Sequence, residues 1–172
     1  MDYGLKGKVV LVNGSTGGIG QAICRAFARE GAKLAIASTS QAKLDAFVPT
    51  LDIAPEDLKT FVADATKAEE VKAWVDGAYN HFGHIDVVIP NAGYEGSYQE
   101  IQDCTVENYM KVYSINVFGP MLLMKYAAPY LLKQESGAIV TIASNGSYTT
   151  AAGMSAYCSS KHAVAGIAKS VA

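Results

Sequence analysis

Cysteine is scarce in this sequence: Cys24, Cys104 and Cys158 are the only three in 172 residues. Their odd number and wide spacing exclude a disulfide framework and a thiolate metal site, and point to reduced thiols in a cytoplasmic setting. An excess of one charge is also lacking. Fourteen Lys and Arg stand against sixteen Asp and Glu, for a net charge of −2. No basic face can then track a phosphate backbone, which excludes nucleic acid as a partner. Long hydrophobic runs are missing too. The longest, Val117 to Met124, is broken by Gly119 and Pro120 and falls far short of a membrane span. The first eight residues, Met1 to Lys8, carry no apolar segment of the secretory kind. What remains is a chain half hydrophobic and 17% charged, rich enough in apolar residues to bury a core and too rich for disorder. With no repeat, linker or low-complexity stretch, residues 1–172 read as a single domain.

Short apolar runs alternate with longer amphipathic ones. Lys8–Val12, Lys33–Ala37, Thr60–Ala63, Ile85–Ile89 and Ala138–Ala143 have strand length and are apolar on both sides, as parallel strands covered on both faces must be. Helices are expected near Gly18–Glu30, Gln41–Val48, Lys67–Phe82, Thr105–Gln134 and from Ser155 onward. Gly31 stands where a left-handed residue ends the first helix. Pro120 and Pro129 predict a kink or break in the fourth. The alternation predicts an α/β fold: a doubly wound parallel sheet in three α/β/α layers, with right-handed crossovers.

A glycine loop follows the first strand: Asn13-Gly14-Ser15-Thr16-Gly17-Gly18-Ile19-Gly20. Glycines permit a tight turn and close backbone approach, and the helix start offers free N–H groups and a positive dipole end to a pyrophosphate. Gly14, Ser15, Thr16, Gly18, Ile19 and Gly20 are therefore candidate dinucleotide-binding residues. An acid some twenty residues on would bond a ribose 2′-hydroxyl, but this chain reads Ala37-Ser38-Thr39-Ser40 there. Ser38 and Thr39 could instead accept a 2′-phosphate, so NADP(H) is favoured over NAD(H), although no Arg or Lys stands in that segment. Asp64 and Ala65 end the third strand where an adenine would lie; Asp64 could equally cap the next helix.

Tyr157 and Lys161 lie four residues apart on one face of the last helix. A nearby cation stabilises phenolate, which suits a tyrosine for acid/base work near neutral pH. Ser144 follows the fifth strand, Asn91-Ala92-Gly93 follows the fourth, and Asn116 lies in the long helix. Each is weak alone. Together, the glycine loop, Asp64, Pro90-Asn91-Ala92-Gly93, Ser114-Ile115-Asn116-Val117, Ser144 and Tyr157-Cys158-Ser159-Ser160-Lys161 make the chain resemble the classical short-chain dehydrogenase/reductase family. The resemblance runs from Leu5 to the last residue.

That resemblance implies a Rossmann-type fold and hydride transfer between a nicotinamide and a small-molecule carbonyl or alcohol. It makes Tyr157 the general acid/base, with Ser144 on the substrate oxygen. Lys161 would hold the nicotinamide ribose and depress the tyrosine pKa, and Asn116 would support a water-linked relay. Asn91, Ala92 and Gly93 would line the cofactor cleft. It also implies a homotetramer or homodimer through the long helix and the Tyr157 helix. Family members are longer, so the resemblance further predicts that a sixth strand and lid segment are missing after Ala172. Three positions depart from the family pattern: Asn13 for Thr, Pro90 for Asn and Ala143 for Ser. A non-catalytic dinucleotide-binding module is the main alternative, and an epimerase or dehydratase a lesser one. His81, His84 and His162 read as surface residues and Cys158 as packing. Tyr94, Tyr148 and Met154 fall in loops beside the cleft, as pocket lining or surface packing.

Overall fold

The computed structural model describes residues 1–172. Its strands are β1 (Val9–Val12), β2 (Lys33–Ser38), β3 (Leu58–Val62), β4 (Val87–Ile89) and β5 (Ala138–Ile139). All pair in parallel, in the order β3-β2-β1-β4-β5. The helices are α1 (Gly18–Arg29), α2 (Gln41–Phe47), α3 (Ala68–Phe82), α4 (Val106–Tyr113), α5 (Gly119–Gln134) and α6 (Ser155–Ser170).

Strand alternation sorts the core into two faces. Val9 and Leu11 of β1, with Ala35 of β2, pack beside Trp74 and Val75 of α3 and Leu123 of α5. Val10, Val12, Leu34 and Ile36 point the other way, towards Cys24 of α1 and Leu44 of α2. These strand residues are fully buried, and each large aliphatic side chain so placed contributes about 1.5–3 kcal/mol. The result is the three-layer α/β/α sheet expected of near-continuous apolar strands.

The chain leaves β1 for β2 on one side, and later reaches β4 on the other. This reversal opens a crevice beyond the carboxyl ends of β1 and β4, where open parallel sheets receive ligands. Gly31 sits at φ +74 just past α1. Its N–H bonds to Ala28 and that of Ala32 to Phe27, so the helix end is closed by two backbone bonds.

Two details differ from expectation, the end of the fifth strand and Pro129, while the break expected at Pro120 is present. The fifth strand stops at Ile139, not Ala143. Val140 and Ile142 still donate to the carbonyls of Val88 and Pro90. The return bond to Val140, however, would have to come from residue 90, and Pro90 has no N–H. The fourth helical stretch breaks before Pro120, in a π-helical turn at Ser114–Phe118 where the Gly119 N–H reaches back to Ser114. Pro129 breaks nothing: α5 runs on to Gln134. Pro129 and Lys125 are both exposed, so water can satisfy the carbonyl that the proline leaves unpaired.

Candidate functional site

A cleft of about 440 Å³ lies at the crevice between β1 and β4. Its floor is the glycine loop. Gly14 sits at φ +59, and a Cβ there would stand 3.0 Å from the Ala92 Cα. A Cβ on Gly20 would collide with the Gly14 carbonyl oxygen and press on the Ser15 Cα, whereas the same position at Gly18 meets open space. Two glycines thus close the turn, and Gly18 leaves room for a ligand over the start of α1.

Asn13 ties the loop to β4. Its Oδ1 accepts the N–H groups of Asn91 (2.6 Å) and Ala92 (2.8 Å), and the Asn91 Nδ2 donates to the carbonyls of Asn13 (3.0 Å) and Gly14 (3.1 Å). Of the candidate cofactor residues, Gly14, Thr16, Gly18, Ile19, Gly20, Ser38, Thr39, Ala65, Asn91, Ala92, Gly93, Tyr157 and Lys161 all line the cleft. Ser15 and Asp64 do not. Ser15 is fully buried, and both its hydroxyl and its N–H are spent on the Ala37 carbonyl. Asp64 does not cap α3, whose first turn follows Lys67. Its Oδ1 instead accepts from the Thr66 N–H and hydroxyl, while its own N–H is held by Glu70.

The sequence pattern missed Lys43, which lines the cleft beside Thr16, Ser38 and Thr39. It lies one turn inside α2, whose cap is Ser40: the Ser40 hydroxyl accepts the Lys43 N–H. No carboxylate pairs with Lys43. Helical periodicity from that cap was the available signal. Beside it the hydroxyls of Thr16 and Ser38 share a 2.9 Å hydrogen bond.

On the far wall α6 presents Tyr157 and Lys161. Lys161 is 5% exposed and has no carboxylate partner; its Nζ donates to the Ile142 carbonyl (3.0 Å) and stands 5.8 Å from the centre of the Tyr157 ring. Burial pushes its pKa below the ordinary lysine value. Ser144 does not line the cleft itself. A Cβ on Gly146 would touch both the Tyr157 ring edge (3.4 Å) and the Ser144 Oγ (3.5 Å), which puts the two side chains against the same glycine. Ser147, also missed, fixes that arrangement: its hydroxyl donates to the Lys161 carbonyl (2.8 Å) and accepts the Ser144 N–H (3.3 Å).

Asn116 is fully buried in the π turn. Its Oδ1 accepts the Tyr94 N–H, and its Nδ2 donates to the Tyr94 carbonyl, both at 2.8 Å, and to Ser160 at 2.9 Å. Its side chain is therefore committed to the loop after β4. The cleft is also lined by Tyr94, but not by Tyr148 or Met154. His81 packs edge-on to Phe82 and His84 lies against Asp86, away from the site.

Comparison with known proteins finds relatives of nearly the whole chain and neighbours of its fold. A family model described as short chain dehydrogenase matches residues 8–172. Zerumbone synthase of Zingiber zerumbet is 37% identical over 169 residues, covering 98% of this chain and 63% of that protein. (+)-Borneol dehydrogenase 2 of Salvia officinalis is 36% identical, covering 98% and 59%. The crystal structure of an NAD+-bound xylitol dehydrogenase superposes with a TM-score of 0.91 at 32% identity, covering 98% of this chain and 65% of that one. The chain thus spans about 60% of the length of the curated relatives it matches.

Proposed function

The chain belongs to the short-chain dehydrogenase family, and from that premise we propose that it is a dinucleotide-dependent oxidoreductase interconverting a small-molecule secondary alcohol and a carbonyl. The observation that carries this reading is the meeting of a buried, carboxylate-free Lys161 with Tyr157 on the wall of the glycine-loop cleft. A buried ammonium with one carbonyl partner keeps N–H groups for ligand hydroxyls, and an ammonium so costly to desolvate needs a use. The glycine loop, with open space over Gly18, fits a pyrophosphate at the start of α1.

The bound nicotinamide supplies the hydride donor or acceptor; the residues of this chain handle the proton. In the proposed mechanism the Tyr157 hydroxyl gives a proton to the carbonyl oxygen during reduction and takes it back during oxidation. The Lys161 charge stabilises the tyrosine oxygen when it is negative, and Lys161 holds the ribose hydroxyls. Ser144 donates to the substrate oxygen as negative charge develops there. Asn116 holds the loop after β4 through its side chain, and family membership supports its part in a water-linked proton relay. Asn91, Ala92 and Gly93 flank the nicotinamide end.

NADP(H) is the proposed preference. No acid stands at the end of β2, Thr16, Ser38 and Thr39 offer hydroxyls, and Lys43 supplies the cation that the segment itself lacks. Family membership also supports a homotetramer or homodimer assembled through α4, α5 and α6.

Turnover of a carbonyl panel by the full-length protein is the direct test. Tyr157→Phe should lower kcat by about a hundred- to ten-thousandfold while leaving dinucleotide binding intact. Unchanged turnover would sink the mechanism, and tight dinucleotide binding with no turnover would favour a non-catalytic module. Lys43→Met should weaken NADPH binding by about tenfold and leave NADH binding alone, read by fluorescence titration. Tighter binding of NADH than NADPH by the unaltered protein would reverse the cofactor assignment.

A further inference from the structure

The cleft is lined by two cations, Lys43 on its β2 side and Lys161 in its wall, and by one acid, Glu95, on its β4 side. Tyr94, Ile142, Ala143 and Tyr157 line the same cleft. Its backbone is held from both sides. Asn116 clamps the N–H and carbonyl of Tyr94. Gly96 follows at φ +76 with no space for a side chain against Val112, and the Ser97 N–H donates to the Asn108 Oδ1 at 3.1 Å. A residue between two such anchors keeps its place.

The Glu95 carboxylate, by contrast, is uncommitted. Its one hydrogen-bond partner is the Tyr98 hydroxyl at 3.5 Å, and no salt bridge reaches it. Lys111, on the neighbouring helix, lies over the Tyr94 ring at 4.6 Å instead. A fixed surface loop has thus put an exposed, unneutralised acid among the residues lining the candidate active site. A carboxylate accepts hydrogen bonds and donates none, and such bonds are strengthened by its charge.

We propose that Glu95 is a specificity-determining residue that selects substrates carrying a hydroxyl or ammonium donor beyond the reacting carbon, and that it rejects substrates carrying a carboxylate there. The proposal rests on the dehydrogenase reading above and names the substrate class for that same site. Glu95 takes no part in proton or hydride transfer. It discriminates by accepting from the donor group and by repelling a second negative charge.

Three secondary alcohols of one four-carbon skeleton test this, ending in an aminomethyl, a hydroxymethyl or a carboxylate group, with the unsubstituted alcohol as reference. With the full-length enzyme, kcat/KM for the amino alcohol and the diol should exceed that for the hydroxy acid by about tenfold. In Glu95→Gln the spread should shrink to about twofold, because the hydroxy acid improves as the amino alcohol declines. Raising the salt concentration should flatten the spread in the unaltered enzyme and leave the variant unmoved, an effect that a purely structural role would not produce. The same order and spread in Glu95→Gln, or a spread indifferent to salt, would overturn the proposal. Turnover of the unsubstituted alcohol without charge discrimination would reject Glu95 alone, whereas no turnover of any of the four would reject the dehydrogenase reading with it.

Discussion

Single side chains decide how the cleft is held open. The Asn13 Oδ1 receives two backbone N–H groups from the segment after β4. An amide carbonyl has two lone pairs, so one residue joins two strand ends. Ser147 does a similar job between Ser144 and Lys161. Under the sheet, Cys24 shows what burial does to an ionisable group. Desolvation pushes its thiol from the ordinary 9.0 up to about 12, with Arg25 pulling weakly the other way. A raised folded value means that folding excludes the thiolate. The stability associated with Cys24 is therefore whole below pH 9.0 and is lost as pH rises towards about 12. Relative to Cys24→Ala, the unaltered protein should lose stability across that window in urea unfolding. A constant difference would show that the thiol is not desolvated. The native thiol should also resist alkylation at pH 9.0.

At the scale of elements, helix ends and strand ends carry the design. α1 begins at the glycine loop and ends in the Gly31 turn, so both termini depend on residues without side chains. Gly31→Ala would hold an alanine at φ +74 with its Cβ 3.4 Å from Lys6. Left-handed backbone costs a non-glycine residue about 1–2 kcal/mol, and the denaturation midpoint should fall accordingly while the fold persists. No change would mean that the turn relaxes freely. The π turn at Ser114–Phe118 has the opposite function: it reshapes a long helix so that Asn116 faces the Tyr94 backbone. Prolines 120 and 129 look alike in sequence but differ in context. Pro120 begins α5 next to the π turn, and Pro129 sits on a solvated face where one lost bond is tolerated.

For the whole molecule, the sheet order sets where chemistry is possible, and the helices set which surfaces remain. No helix is long and apolar enough to cross a membrane. The exposed apolar residues Val106, Met110 and Phe118 lie on α4 and the π turn, which belong to the surface proposed for assembly. Single exposed apolar residues are ordinary, but several on two successive elements need an account. If they form an interface, Met110→Glu should reduce the mass measured by light scattering to that of a smaller species, with little change in the folding of each protomer. An unchanged mass would place the interface elsewhere.

Strand and helix positions, the parallel sheet and most of the glycine loop were legible in the sequence, because burial on two faces and helical periodicity leave a pattern in neighbouring residues. The Tyr157–Lys161 pair was legible for the same reason: four residues on a helix share a face. The sequence by itself therefore determined the α/β order and the family. What it did not determine was contact between distant segments. Lys43 entering the cleft from α2, Ser147 bridging Ser144 to Lys161, and Glu95 fixed between Asn116 and Asn108 all depend on how separate elements pack. So do the commitment of Ser15 to Ala37 and the shortening of β5 opposite Pro90. Only the tertiary structure decided these, because a contact between separate elements has no local period to betray it.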